Sequence, residues 1–319
     1  MKREDILTDL REVLSSAGFY VSELYSMRPF GFDLVARRDN SLLIIKVLTN
    51  IDAMNSVLAN EIRTLALLLK ACPLIIGDKS SIGQLENDVV YDRFGIQAIT
   101  YETMKNHLLE GIPLEIYAAP GGFYVNLDNE KIKNLRKEQD MSIGSFARSI
   151  KVSRKTVQRY EEGMNATVEV ALRIEDYFGT NVTVPIDILK RPVYNKNAQS
   201  SPIESEGFLE FQKDIFNILK HIGYKVIPME RAPFEAVSQD KKKILLTCVE
   251  TYDKKLLKKA HVVSSISKIT EKQAVIIPDK DVSKKNIEGT PLIVKKELKK
   301  ARDPEELLNL ILERIYNKD

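Results

Sequence analysis

The stretch DNEKIKNLRKEQDMSIGSFARSIKVSRKTVQRYEEGMNATVEVALRIEDYFG, residues 128–179, decides how this 319-residue chain is read. Its apolar residues recur at helical spacing rather than alternating as in a strand. Ile132 and Leu135 give a first helix one apolar side, and that helix stops near Asp140. Ser142 is placed to cap a second helix, in which Phe146, Ala147 and Ile150 share a face. Ser153 can cap a third, RKTVQRYEE, with Val157 and Tyr160 on its inner side and Gly163 at its end. Val168, Ala171, Leu172, Ile174 and Phe178 supply a fourth helix that closes the small core.

The spacing of Ala147, Lys151 and Val157 is what makes this more than a bundle. Two helices that cross closely at a tight turn need a small side chain at the first place. An apolar residue at the third then locks the following helix onto the core. Ala147 and Val157 meet both demands, whereas Lys151 stands at the turn, where glycine is preferred because φ is positive. Charge agrees with this reading. Between residues 131 and 159, Lys131, Lys133, Arg136, Lys137, Arg148, Lys151, Arg154, Lys155 and Arg159 face only Glu138 and Asp140. Over the whole chain the net charge is only +3, so this local excess stands out as a footprint for a polyanion, while the lysine runs from Lys241 to Lys296 read as a solvated face.

The pattern SxxxFAxxxxVSRxTVxRYExG over residues 142–163 resembles the Cro and phage-repressor type of helix-turn-helix. That resemblance implies a third helix lying in the DNA major groove, with Ser153, Arg154, Lys155, Thr156, Gln158 and Arg159 as the readout candidates. It also implies that Ser142, Asn165 and Thr167, with backbone amides at the second helix's start, hold phosphates. Ile143 departs from it, since glutamine is common there and would add one contact. Arg136 and Glu161 occupy positions that some members pair beneath the recognition helix, a structural role shared with Ala147 and Val157.

Working outward, Pro113, Pro120 and the Gly121-Gly122 pair mark one boundary, and the polar run RPVYNKNAQSSPIESEG (191–207) marks another. The expected organisation is residues 1–120, 126–190, a linker over 191–205, and 206–319. The outer pieces repeat each other. Phe32-Asp33-Leu34-Val35 answers to Phe234-Glu235-Ala236-Val237, and Leu43-Ile44-Ile45-Lys46-Val47 to Leu245-Leu246-Thr247-Cys248-Val249. Each copy reads as a helix (4–17; 206–221), apolar strands, a long helix (about 54–71; 254–267), further strands and a last helix. The fold class expected is α/β plus all-α, with a central Cro-type helix-turn-helix domain between two related α/β domains.

The order helix, three strands, helix, strand resembles the restriction-endonuclease-like, or PD-(D/E)xK, fold. In active members of that family an Asp, a Glu and a Lys together hold a divalent metal and activate water. Here Asp33 and Lys46, 13 residues apart, occupy two of those positions, but Ile44 stands where the Glu belongs. In the second copy Glu235, Leu246 and Cys248 occupy the three. One carboxylate cannot build a site for a hard cation, so Asp33 and Lys46 are read as a degenerate remnant and no metal or cofactor is expected. The domain order as a whole is similar to a family of archaeal transcriptional regulators.

The remaining composition narrows the alternatives. Cys72 and Cys248 sit in apolar runs, which makes them buried free thiols, and three scattered histidines give zinc no ligand set. No uncharged apolar run approaches a membrane span and the start MKREDILTDL has no signal-peptide core, so a cytoplasmic protein is expected. No GxGxxG or phosphate-loop motif marks an effector site, and any small-molecule effector is unknown. The function expected is sequence-specific binding of double-stranded DNA by a non-enzymatic homodimeric regulator, with the α/β parts mediating self-association. The alternative is a metal-dependent nuclease or repair factor that uses the helix-turn-helix for docking.

Overall fold

A computed structural model describes residues 3–23, 30–192, 207–241 and 243–316. The first segment runs α1 (Arg3–Ser16), β1 (Tyr20–Val21), β2 (Leu34–Arg38), β3 (Ser41–Asn50), α2 (Ser56–Leu69) and β4 (Cys72–Lys79). Strand β2 pairs antiparallel with β1 and with β3. Ile6, Leu10 and Leu14 of α1 are buried, and so is nearly every residue from Leu42 to Val47. Such unbroken burial is what a strand covered on both faces requires. Asn55 caps α2 by accepting from the amide of Leu58, and Lys70 ends it in the left-handed region.

The middle segment follows with β5 (Val89–Arg93), β6 (Ile96–Ile99), α3 (Tyr101–Lys105), β7 (Ile116–Ala119) and β8 (Gly122–Leu127). Then come α4 (Asn129–Glu138), α5 (Ile143–Ser149), α6 (Arg154–Glu161), β9 (Ala166–Thr167), α7 (Val168–Phe178) and β10 (Thr183–Val184). The stretch 113–126, read from sequence as a connection between domains, is a β-hairpin. Pro120 and Gly121 form its tip, with Gly121 and Gly122 at positive φ, and the same residue types punctuate a hairpin as readily as a linker. Strand β7 also pairs in parallel with β5, and β8 pairs with both β9 and β10. Val125 and Leu127 thereby join the core of the four helices.

The third segment runs α8 (Glu210–Ile222), β11 (Lys225–Pro228), β12 (Ala236–Gln239), β13 (Ile244–Glu250), α9 (Lys254–Thr270) and β14 (Gln273–Pro278). Two short strands, β15 (Asn286–Ile287) and β16 (Thr290–Pro291), and helices α10 (Lys295–Leu298) and α11 (Pro304–Tyr316) complete it. The linker expected at 191–205 lies almost wholly, from 193 on, outside the described residues, as do Gly207's polar neighbours 201–206 and Lys242. The first and third segments share one order of elements and one register. Leu34, Val35 and Ala36 lie opposite Ile45, Ile44 and Leu43, while Ala236, Val237 and Ser238 lie opposite Thr247, Leu246 and Leu245.

Compactness divides the chain in two. One unit combines the described residues of Met1–Val47, Met54–Leu74 and Leu189–Asp319, and the other holds Leu48–Ala53 and Ile75–Ile188. By compactness the strands β5 and β6 fall in the second of these units, with the helices α4–α7. Both cysteines are buried and neither forms a disulfide. Among the described residues no helix is long and apolar enough to cross a membrane.

Candidate nucleic-acid interface

The helix pair α5–α6 is built by its caps and its turn. Ser142 Oγ accepts from the Ser145 amide at 3.1 Å, and Ser153 Oγ accepts from the Thr156 amide at 3.0 Å. Each bond satisfies a donor that the first turn of a helix leaves open. Between the helices Lys151 takes φ of 56°, the left-handed conformation that the spacing requires of it. Ala147 and Val157 are buried against Phe146, Ile150 and Tyr160. Leu172, read as part of this core, is more than half exposed on α7.

This burial turns one side of α6 outward. Arg154, Lys155, Gln158 and Arg159 are exposed, while Val157 and Tyr160 face the core. Arg148 and Lys151 are exposed as well, and among the described residues none of Arg148, Lys151, Arg154, Lys155 and Arg159 has a carboxylate within ion-pair distance. Five cations without counter-ions on a surface between two caps form an anion-seeking face. Thr156 is half-buried, its hydroxyl 2.8 Å from that of Ser153, so it belongs to the cap. Thr167 caps α7 without a side-chain bond, leaving its hydroxyl available. Asn165 is turned inward: its amide donates to Tyr117 Oη and Asn126 Oδ1, both at 2.9 Å, which commits both of its protons to holding β7 and β8.

Arg136 is also not part of the outward charge. Its Nε donates to Glu161 Oε1 at 2.6 Å and a terminal nitrogen to Oε2 at 3.0 Å, while the other terminal nitrogen reaches the Met141 carbonyl at 2.8 Å. Both side chains are about nine-tenths buried. The paired hydrogen bonds to Glu161 raise the already high pKa of Arg136. The charge window 131–159 ends two residues short of this partner, which is why counting alone assigns Arg136 to the surface.

The remnant of the α/β site is a closed ion-pair cluster. Asp33 is buried; its Oδ2 accepts from the Val47 amide at 2.7 Å and its Oδ1 from Lys46 Nζ at 3.3 Å. Arg3, which sequence reading missed, also donates to Oδ1, and Lys46 Nζ reaches the Phe30 carbonyl at 2.9 Å. A divalent cation does not fit here, because the one carboxylate already meets two cations and Ile44 is fully buried where a second would stand. The third segment repeats the carboxylate-to-strand bond with Glu235 and the Val249 amide at 2.7 Å. Its ammonium comes from α9: Lys259 meets Glu235 and, at 2.7 Å, Glu250. Cys248, at the lysine position, is a fully buried thiol that burial pushes well above its ordinary pKa.

An outward cationic helix held on its partner by capped turns, in one chain with an α/β part whose carboxylate is neutralised, defines a helix-turn-helix protein that also carries a nuclease-like fold. Comparison with known families agrees. Residues 3–114 match the PD-(D/E)XK superfamily domain and residues 132–184 match a helix-turn-helix. Proteins of Methanosarcina barkeri and Methanosarcina acetivorans are 39% and 40% identical to this chain, each over 98% of both chains. One of Natronomonas pharaonis is 36% identical over 98% of this chain and 99% of its own. All three carry the provisional name HTH-type transcriptional regulatory protein. The chain belongs to this archaeal family of HTH-type transcriptional regulatory proteins. No solved structure gives a significant match.

Proposed function

We propose that this chain reads a specific double-stranded DNA sequence as a Cro-type helix-turn-helix regulator, acting as a homodimer and without nuclease activity. The observation that carries the proposal is the outward row Arg154, Lys155, Gln158 and Arg159 on α6, without counter-ions among the described residues and backed by the buried Val157 and Tyr160. Arginine and lysine suit the O6 and N7 acceptors of guanine, and glutamine suits adenine, so a G-containing half-site is expected. Ser142 and Thr167 are assigned to phosphates and Arg148 and Lys151 to the surrounding backbone. One short reader covers too few base pairs for adequate specificity, which is the reason for assigning two-fold self-association. The first and third segments are taken as two copies of one α/β domain that support this assembly. The neutralised Asp33 and the buried Ile44 argue for scaffold rather than scissors.

The test is selection of bound genomic fragments by the purified protein, followed by footprinting. Protection of two half-sites about 10 base pairs apart, or a multiple of that, is expected. Equal binding of random and genomic DNA at physiological salt overturns the reading. Incubating duplex, branched and single-stranded DNA with Mg²⁺ or Mn²⁺ should give no cutting, and cutting abolished by Asp33→Ala would restore a nuclease.

A further inference from the structure

Gly144, the second residue of α5, is buried, although its helical conformation is one that any residue could adopt. What covers it is Arg154, the first residue of α6. A Cβ built on Gly144 would fall 2.5 Å from Arg154 Nε and 2.8 Å from both Cζ and Nη2, distances that real Cβ contacts do not reach. The guanidinium therefore lies on the bare backbone of the neighbouring helix, filling the space a side chain would take. Among the described residues it makes no ion pair, and the bare glycine backbone is a surface against which it rests.

We infer that Gly144 is a positioning residue for base readout: the missing side chain is a seat that holds the Arg154 guanidinium in one arrangement before DNA arrives. This rests on the reading of α6 as the recognition helix. A long side chain loses rotamer freedom when it engages a base, and one that is already parked loses less, which favours a single geometry over several. A planar guanidinium suits such a seat, because it packs flat against a peptide surface while keeping its edge donors outward. Any side chain at 144 displaces the guanidinium. The atoms in the way are the far end of a flexible side chain, so the helix itself can stay where it is.

The full-length Gly144→Ala variant, compared with the parent, Arg154→Ala and the double variant, tests this. Each is put through sequence selection from a random duplex library, and each is melted. Alanine is the better helix former, so G144A should melt no lower than the parent. It should still bind DNA but lose about tenfold discrimination at one base pair, the pair that R154A also affects. In the R154A background the glycine substitution should change nothing further. Unchanged base preference in G144A alongside a changed preference in R154A overturns the seat and leaves the recognition helix standing. A lowered melting temperature in G144A overturns it too, since Gly144 would then serve the fold. If the parent itself selects no sequence, it is the underlying reading of α6 that fails.

Discussion

Arg136 carries a charge that solvent barely reaches. Two of its five donors, on Nε and one terminal nitrogen, meet the two oxygens of Glu161 in a bidentate pair, a geometry lysine could not reproduce. The bond also ties α4 to the end of α6, from behind the surface that would meet DNA. Removing one partner leaves the other charge buried and unpaired, which costs about 3–5 kcal/mol. Arg136→Met should accordingly lower the unfolding free energy measured in urea by that amount, and DNA binding should fall in proportion to the unfolded fraction. Replacing both partners by apolar residues should recover much of the loss. A single variant that binds poorly while unfolding normally would assign Arg136 to DNA contact. The pair was legible only because the chain resembles a family that makes it. Nothing in composition separates Arg136 from its eight basic neighbours.

At the scale of elements, the turn between α5 and α6 sets stability against binding. Lys151 occupies the left-handed region at φ of 56°, which costs a residue with a Cβ about 1–2 kcal/mol relative to glycine. Glycine would relieve that strain but would give the unfolded chain more freedom, so Lys151→Gly should gain at most about 1 kcal/mol in urea unfolding. The same substitution removes an exposed cation from the surface proposed to face DNA. Affinity should therefore drop and the slope of log binding constant against log salt should become shallower by about one. A variant both more stable and equally salt-sensitive would place Lys151 away from phosphates. These helices were legible because Ser142, Ser153 and Gly163 signal their own ends locally. The hairpin β7–β8 was not, since its partners β5, β9 and β10 lie far off in sequence and its Pro-Gly-Gly tip looks like a linker. Gly144 carried no signal either; a glycine inside a helix reads as a weakness until the side chain lying on it is seen.

Over the whole molecule, the first and third segments meet within one compact unit, and their contacts use residues that no motif singled out. Arg37 pairs with Glu271 at 2.8 Å, and the Glu23 amide donates to Ser265 Oγ at 3.0 Å. The backbone of Arg231 is gripped on both sides: its carbonyl accepts from the Gly31 amide, and its amide donates to Glu61 Oε1 at 2.7 Å. Glu61 is the one acidic residue of α2 and is buried among Leu58, Ile62 and Leu65, which is the signal that could have found it. Its partner lies 170 residues away, which is why the sequence could not show what it does. Burial raises the pKa of Glu61, with the Arg231 amide opposing the shift only in part. The unfolded chain has the ordinary glutamate value of about 4.3. Raised in the folded state, Glu61 contributes its full stability below that value and loses it as pH rises through the folded pKa. Glutamine keeps the carbonyl oxygen that accepts from Arg231 but has no charge to bury. The Glu61→Gln variant and the parent should thus melt alike near pH 4 and diverge towards pH 8, with the variant the more stable. A difference that stays constant across that range, or opens in the acid direction, would mean that the carboxyl is not held against Arg231 and that the two segments are joined by other contacts.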